Sequence, residues 1–360
     1  MASKPSQRSK ADLYNPDPNW TAFAEKNGYQ SPASPFVLDV EGDRAAEVIR
    51  EAEFTKQYPL SSFGYNSVLT NVTVRDGASI SVKISYPKFL AAESDKKQKL
   101  PVLFVTHGGS WIQGSHTTEE AWFLWPLYEH FNFLIVSVEY RLAPEHAFPV
   151  WMDDSWDVLE QLLSSPEKFF SSAVTTGSGS GDSAAGLKNV HPDLGRVILA
   201  GSSAGGGTAA YLSQTCRDRG FSVYGVILNI PLVCDYRHLP VDCRLSYEQA
   251  TTNSRLCSGE MRASWDLVRP VTPTQKIDDP KASPLLCNLK GLPKHLVFVA
   301  GHDPLRDEAL KYVEILEDEG VDVQLFTYPG VPHGFAAYWE LDASKKFAED
   351  LRRGLKGWIG

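Results

Sequence analysis

The residues best suited to chemistry in this 360-residue chain are a serine, an aspartate and a histidine, met in that order. Ser203 stands in Gly201-Ser202-Ser203-Ala204-Gly205, after the apolar run Val197-Ile198-Leu199-Ala200 and before the helix-compatible Thr208-Ala209-Ala210-Tyr211-Leu212. That reads as strand, sharp turn, helix. The tip of such a turn is held in a strained backbone conformation, and small residues two places before and after it, here Gly201 and Gly205, avoid clashes. The turn lifts the Ser203 hydroxyl clear of the strand and aims the amide of Ala204, at a helix N-terminus, toward any negative charge forming nearby. Asp303, in Gly301-His302-Asp303-Pro304-Leu305, and His333, in Pro332-His333-Gly334-Phe335, each follow a short apolar run. A histidine so placed can take the serine proton and pass it to a leaving group, while the aspartate holds its tautomer and stabilises the imidazolium. The chemistry is acyl transfer through a covalent intermediate on Ser203.

Competing residues are weighed on the same terms. Asp307 rivals Asp303, its other role being to cap a helix expected over 307–316. Gly181-Asp182-Ser183-Ala184-Ala185-Gly186 imitates the serine turn, but no apolar strand precedes it and Ala185 stands where the second glycine belongs. With its Thr, Gly and Ser content, 171–190 reads as a flexible surface loop. Donors for an oxyanion are sought in His107-Gly108-Gly109-Ser110-Trp111, where two glycines let the backbone amides approach a ligand closely. His107 is assigned to shaping that loop, and Asp153 and Asp154 to partnering neighbouring loops. Trp111, Phe335 and Trp339 are candidates to line an acyl or alcohol pocket, against the default that aromatics are core.

Elements must bring these residues together. The first 17 residues read as disordered; Trp20, Phe23 and Ala24, then Val48, Ile49 and Ala52, give two helix-like apolar faces outside any sheet. Over 67–84 the period changes to that of a hairpin turning at Asp76-Gly77. A charged turn occupies 93–99. Continuous β-branched runs at 101–105 and 133–138, a helix over 151–163, the strand before Ser203, runs at 223–229, 295–299 and 323–328, and helices over 307–316 and 344–358 predict a mainly parallel twisted α/β sheet. Both its faces are covered, with antiparallel pairing only near its start. The segment 234–283 is longer than a crossover needs. The expected organisation is a tail with cap helices over 1–66 and a catalytic domain over 67–360, carrying a cap insertion at about 235–283.

A formal charge of −9 argues against nucleic acid or an anionic membrane as the main partner. Hydrophobic residues make up 42% of the chain, enough for a sizeable core, yet no apolar run approaches the roughly 20 residues that span a bilayer. Stable membrane insertion is therefore not expected. Cys216, Cys234, Cys243, Cys257 and Cys287 show neither metal-ligand pairing nor a compact disulfide pattern, which fits reduced thiols in the cytoplasm and no metal site. The terminus over 1–10 lacks an apolar signal core, so the sequons at Asn19 and Asn71 read as chance.

With these motifs in order, the chain resembles the hormone-sensitive-lipase-like branch of the α/β-hydrolases, which includes arylacetamide deacetylases and fungal and bacterial carboxylesterases. The resemblance rests on HGGSW at His107, YRLAPE at Tyr140, GSSAGG at Gly201, DPLRDE at Asp303 and HGF at His333. It implies an α/β-hydrolase fold with an eight-stranded sheet and a helical cap. It also implies that the glycine loop neighbours the serine turn, placing the amides of Gly108, Gly109 and Ala204 around an oxyanion. The expected activity is cofactor-free hydrolysis of small-molecule carboxylic esters, with a short acyl group such as acetyl; a homodimer is one assembly open to such a chain. Two departures are Ser110 in place of a third glycine and Ser202 where the branch usually has aspartate. The latter should change local hydrogen bonding rather than the nucleophile. A lactonase, an amidase, or a non-hydrolytic or ligand-binding relative would share the scaffold, although reuse for binding usually costs a member of the triad.

Overall fold

The apolar runs become a single sheet in the computed structural model, which describes residues 10–31, 36–88, 99–178, 186–270 and 279–359. Its strands are β1 Tyr65–Thr73, β2 Ser79–Pro87, β3 Lys99–Thr106, β4 Leu134–Glu139, β5 His191–Ser202, β6 Gly225–Asn229, β7 Lys294–His302 and β8 Val323–Pro332. They lie in the order β1-β2-β4-β3-β5-β6-β7-β8. β1 and β2 form the expected hairpin, and β2 runs antiparallel to β4. The remaining pairings are parallel, as continuous apolar runs joined by helical crossovers require.

Side chains alternate along each strand, so a sheet covered on both faces needs two cores. Val102 and Phe104 of β3 enter one cluster, with Trp156 and Leu159 of helix Val150–Ser164, Leu212 of helix Ala204–Arg219 and Tyr312 of helix Arg306–Asp318. Leu103 and Val105 enter the other, with Phe347, Leu351 and Leu355 of helix Asp342–Ile359. The central strands are thereby locked in register, and their carboxyl ends form one edge.

Several local expectations are corrected. Residues within the expected disordered tail pack on the domain: Leu13 is buried, Tyr14 stacks on His302 with ring centroids 4.2 Å apart, and its hydroxyl donates to the carbonyl of Gln249 at 2.6 Å. Helix Pro166–Thr176 occupies the first part of the supposed loop over 171–190, because Phe169, Phe170 and Ala173 give it a buried face. The face of Val48 and Ile49 points to solvent, 65% and 61% exposed, since helix Val40–Gln57 turns Arg44 and Glu47 inward instead. Arg44 there donates to the carbonyls of Ile112 and Ala143 at 2.8 and 2.7 Å. The tail over 1–9, most of the charged turn and the imitation turn around Ser183 lie outside the described residues.

Between β6 and β7 the long segment carries helices Leu245–Gln249 and Ser258–Val268. Its base is closed by buried Asp235, which receives Arg237 at 2.7 Å and Arg269 at 2.9 Å. No helix among the described residues is long and apolar enough to cross a membrane.

Candidate active site

At the carboxyl end of β5 the backbone turns abruptly into helix Ala204–Arg219, with Ser203 at φ 54° and ψ −120°. The flanking glycines are compulsory here. A β-carbon on Gly201 would sit 2.6 Å from the carbonyl oxygen of Thr106, and one on Gly205 would collide with the carbonyls of Thr106 and His107. The strained residue is pinned from both sides: its N–H donates to the carbonyl of Asn229 at 2.9 Å, and its carbonyl accepts from Leu232 at 3.0 Å.

Loops at the carboxyl ends of β7 and β8 bring the other two residues to it. His333 Nε2 lies 2.9 Å from Ser203 Oγ, and Nδ1 lies 2.7 Å from Asp303 Oδ2. An ionised carboxylate only accepts, so Nδ1 carries the donated hydrogen and Nε2 is left as acceptor for the hydroxyl. Asp303 Oδ1 accepts from the Leu305 amide at 2.9 Å, which fixes the carboxylate. Exposures of 4%, 6% and 1% for Ser203, His333 and Asp303 put the three in a nearly dry site. Asp307 is elsewhere. It is fully buried against the Arg306 guanidinium at 2.8 Å and accepts from the Ser246 amide at 2.9 Å. The capping role expected of it is absent, since Leu305 heads that helix and no side-chain cap bond forms.

The glycine loop follows β3 and presses on the serine turn: a β-carbon on Gly108 would lie 3.0 Å from the carbonyl oxygen of Ser202 and 3.5 Å from Cβ of Ser203. Gly109, Ser110 and Trp111 have φ of 111°, 55° and 58°, a run of left-handed residues. His107 shapes this loop as expected. It is buried, stacks on Tyr140 at 4.1 Å and 11°, and holds Nδ1 2.8 Å from the Gly108 carbonyl, while burial lowers its pKa to about 4. The amides of Gly108 and Ser202 also bear on the buried carboxyl of Glu119, whose ionised form they favour. Gly108, Gly109 and Ala204 remain the candidate oxyanion donors. Ala204 opens its helix, where backbone N–H groups have no intrahelical partner.

Two residues at the site were not anticipated. Glu119 ends helix His116–Glu119 and is fully buried beneath the serine turn; glutamates are seldom buried, so its type pointed to a surface. Trp122 stands edge-on to the His333 ring at 6.0 Å and lies 3.5 Å from where a β-carbon on Gly108 or on Gly334 would be. The aromatic density of Trp122-Phe123-Leu124-Trp125 was its only signal. The expected pocket aromatics fare differently. Phe335 is core, packed on Tyr328 and Phe347 at 4.9 and 6.0 Å. Trp339 instead packs on Tyr58 and Trp125 at 4.0 and 4.3 Å, tying helix Val40–Gln57 to the sheet domain. Trp111 donates from its indole N–H to Thr208 at 3.1 Å and meets Trp265 edge-on at 5.0 Å. With Ser110, Leu232, Met261, Ser264 and Val268 these two tryptophans form a closely packed contact with no room for a water molecule. Helix Ser258–Val268 also reaches the histidine. Burial raises Glu260 on that helix to about 7, opposed by the charges of Arg255 and His333.

Comparison with known proteins agrees with this geometry. A family model described as alpha/beta hydrolase fold matches residues 103–337. The chain is 30% identical over 251 residues to Esterase LipI of Mycobacterium tuberculosis, a match covering 66% of each chain. It is 28% identical over 297 residues to versiconal hemiacetal acetate esterase of Dothistroma septosporum, covering 80% of this chain and 81% of that one. Among solved structures, vibralactone cyclase superposes with a TM-score of 0.78 over 99% of this chain and 98% of its own, at 24% identity, a likeness of fold alone.

Proposed function

This chain belongs to the alpha/beta hydrolase fold family, in its hormone-sensitive-lipase-like esterase branch, and we propose that it cleaves carboxylic esters through an acyl-enzyme on Ser203. The observation that carries the reading is the unbroken hydrogen-bond chain from Ser203 through His333 to Asp303, at 2.9 and 2.7 Å. In it His333 takes the hydroxyl proton as Oγ attacks the ester carbonyl, Asp303 stabilises the resulting imidazolium, and the amides of Gly108, Gly109 and Ala204 receive the oxyanion. The leaving alcohol then takes the proton back from His333, and water repeats the sequence to release the acid. Residues 1–66 and about 235–283 act together as a cap over this edge of the sheet. The contact of Tyr14 with Gln249, and the Arg255 guanidinium 5.5 Å from the Tyr29 ring, support the pairing of the two segments. The acidic chain and its reduced cysteines fit a cytoplasmic enzyme acting on small-molecule esters.

The acyl group is short. The triad is enclosed, with Ser203 and His333 only 4% and 6% exposed, which limits the space for an acyl chain beside it. Each methylene that fits adds about 0.8 kcal/mol, or roughly fourfold. Turnover of nitrophenyl esters should therefore rise over the first few acyl carbons and collapse once the enclosed space beside Ser203 is full. The measurement is kcat/KM across acyl lengths with Ser203→Ala as control, and a maximum at about twelve carbons or beyond would exclude so enclosed a site.

A further inference from the structure

The residue before the nucleophile opens onto a chain of side chains that the triad does not use. Asn229, ending β6, donates from Nδ2 to Ser202 Oγ at 3.0 Å, and that hydroxyl donates onward to Glu119 Oε1 at 2.6 Å. The same carboxyl faces the amides of Ser202 and Gly108. Glu119 thus touches the serine turn and the glycine loop at once, from a helix that follows the loop in sequence. It is fully buried, and its Oε2 has no hydrogen-bond partner among the described residues. A buried carboxylate with one bare oxygen would be costly, whereas a carboxylic acid there is tolerated.

We propose that Glu119 is a positioning residue whose buried carboxyl, bonded to Ser202, locks the glycine loop to the serine turn so that the amides of that loop and of Ala204 converge on one oxyanion. The inference rests on the esterase reading and assigns Glu119 no proton transfer. Because Ser202 stands where the branch usually has aspartate, the buried acid of this region is brought in from the neighbouring helix. Burial raises the Glu119 carboxyl to about 8, so it is neutral below that value and ionises above it. Once ionised it sets a negative charge against the developing oxyanion, and turnover falls. The titratable groups around it stay neutral through this range: His107 is lowered to about 4, His116 lies well below its ordinary value, and Tyr140 lies well above its own. The adjacent Glu120 is paired with Lys83 at 2.7 Å.

The test is steady-state kinetics on nitrophenyl butyrate from pH 6 to 9.5, with stoichiometric phosphonate labelling of Ser203 as the measure of a formed site. Glu119→Ala lets the loop shift and should lower kcat roughly 10- to 100-fold with KM within about threefold. Glu119→Gln keeps the acceptor and cannot ionise, so it should recover most of that loss and remove the fall in kcat above about pH 8. The proposal is overturned if Glu119→Ala stays within about threefold of the parent, if KM rises as much as kcat falls, or if Glu119→Gln keeps the alkaline fall. Should Glu119→Ala not fold, the alkaline limb of Glu119→Gln decides alone. A parent enzyme without ester turnover would sink the esterase reading instead, and the rate of phosphonate labelling would still report on Glu119.

Discussion

Ser203→Ala should lower ester turnover by about 10^4-fold or more while leaving the fold and KM nearly unchanged. The hydroxyl is the only atom lost, and the turn that carries it is fixed by backbone bonds to Asn229 and Leu232 that alanine also makes. What remains is binding and the oxyanion amides, which alone sustain only a small residue of the rate. Ser183→Ala, in the imitation turn, should leave turnover nearly as it was. The decisive measurement is kcat for both variants on one nitrophenyl ester, together with the site of phosphonate labelling. Equal losses in the two would remove Ser203 from the role of nucleophile.

Asp303→Asn should cost roughly 10^4-fold in kcat with the fold intact, because an amide in place of Oδ2 can present a donor to Nδ1 and so favour the wrong tautomer. Asp307→Asn separates the two acids by a different phenotype. Turnover per folded molecule should change less than about tenfold, but the fully buried Arg306 loses its charge partner, and breaking such a pair costs about 3–5 kcal/mol. Thermal unfolding therefore moves for Asp307→Asn and activity for Asp303→Asn. If the kinetic order were reversed, the acid of the triad would be Asp307.

The sheet was legible because parallel strands buried on both faces leave long apolar runs, such as 101–105 and 133–138, that no other element needs. Ser203, Asp303 and His333 were legible because each sits at the carboxyl end of such a run. Features set by burial and partner were hidden. Nothing in the sequence distinguishes Glu119 from a solvated glutamate, and its burial depends on how closely the glycine loop lies on the serine turn. Asp307 stands where a cap would, yet Arg306 claims it. Phe335 follows His333 by two residues but turns into the core, which adjacency along the chain could not foretell. Composition misled at 171–176, where Ser and Thr concealed a helix anchored by Phe169, Phe170 and Ala173.

Among the described residues, four non-glycine positions hold positive φ: Ser110, Trp111, Ser203 and Ile230. Ser203 and Ile230 follow directly on β5 and β6, and Ser110 and Trp111 lie in the glycine loop after β3, all at the edge of the sheet where the hydroxyl and the oxyanion amides meet. Such conformations cost about 1–3 kcal/mol each, against a net stability of about 5–15 kcal/mol for a whole domain. The strain is thus a large debit on a small balance, held in place by the two cores beneath it. Stabilising substitutions are easy to find elsewhere in a protein and become costly where activity needs a strained backbone. Heat tolerance and turnover are therefore in competition at these four positions, and lineages selected for one would be expected to drift there at the expense of the other.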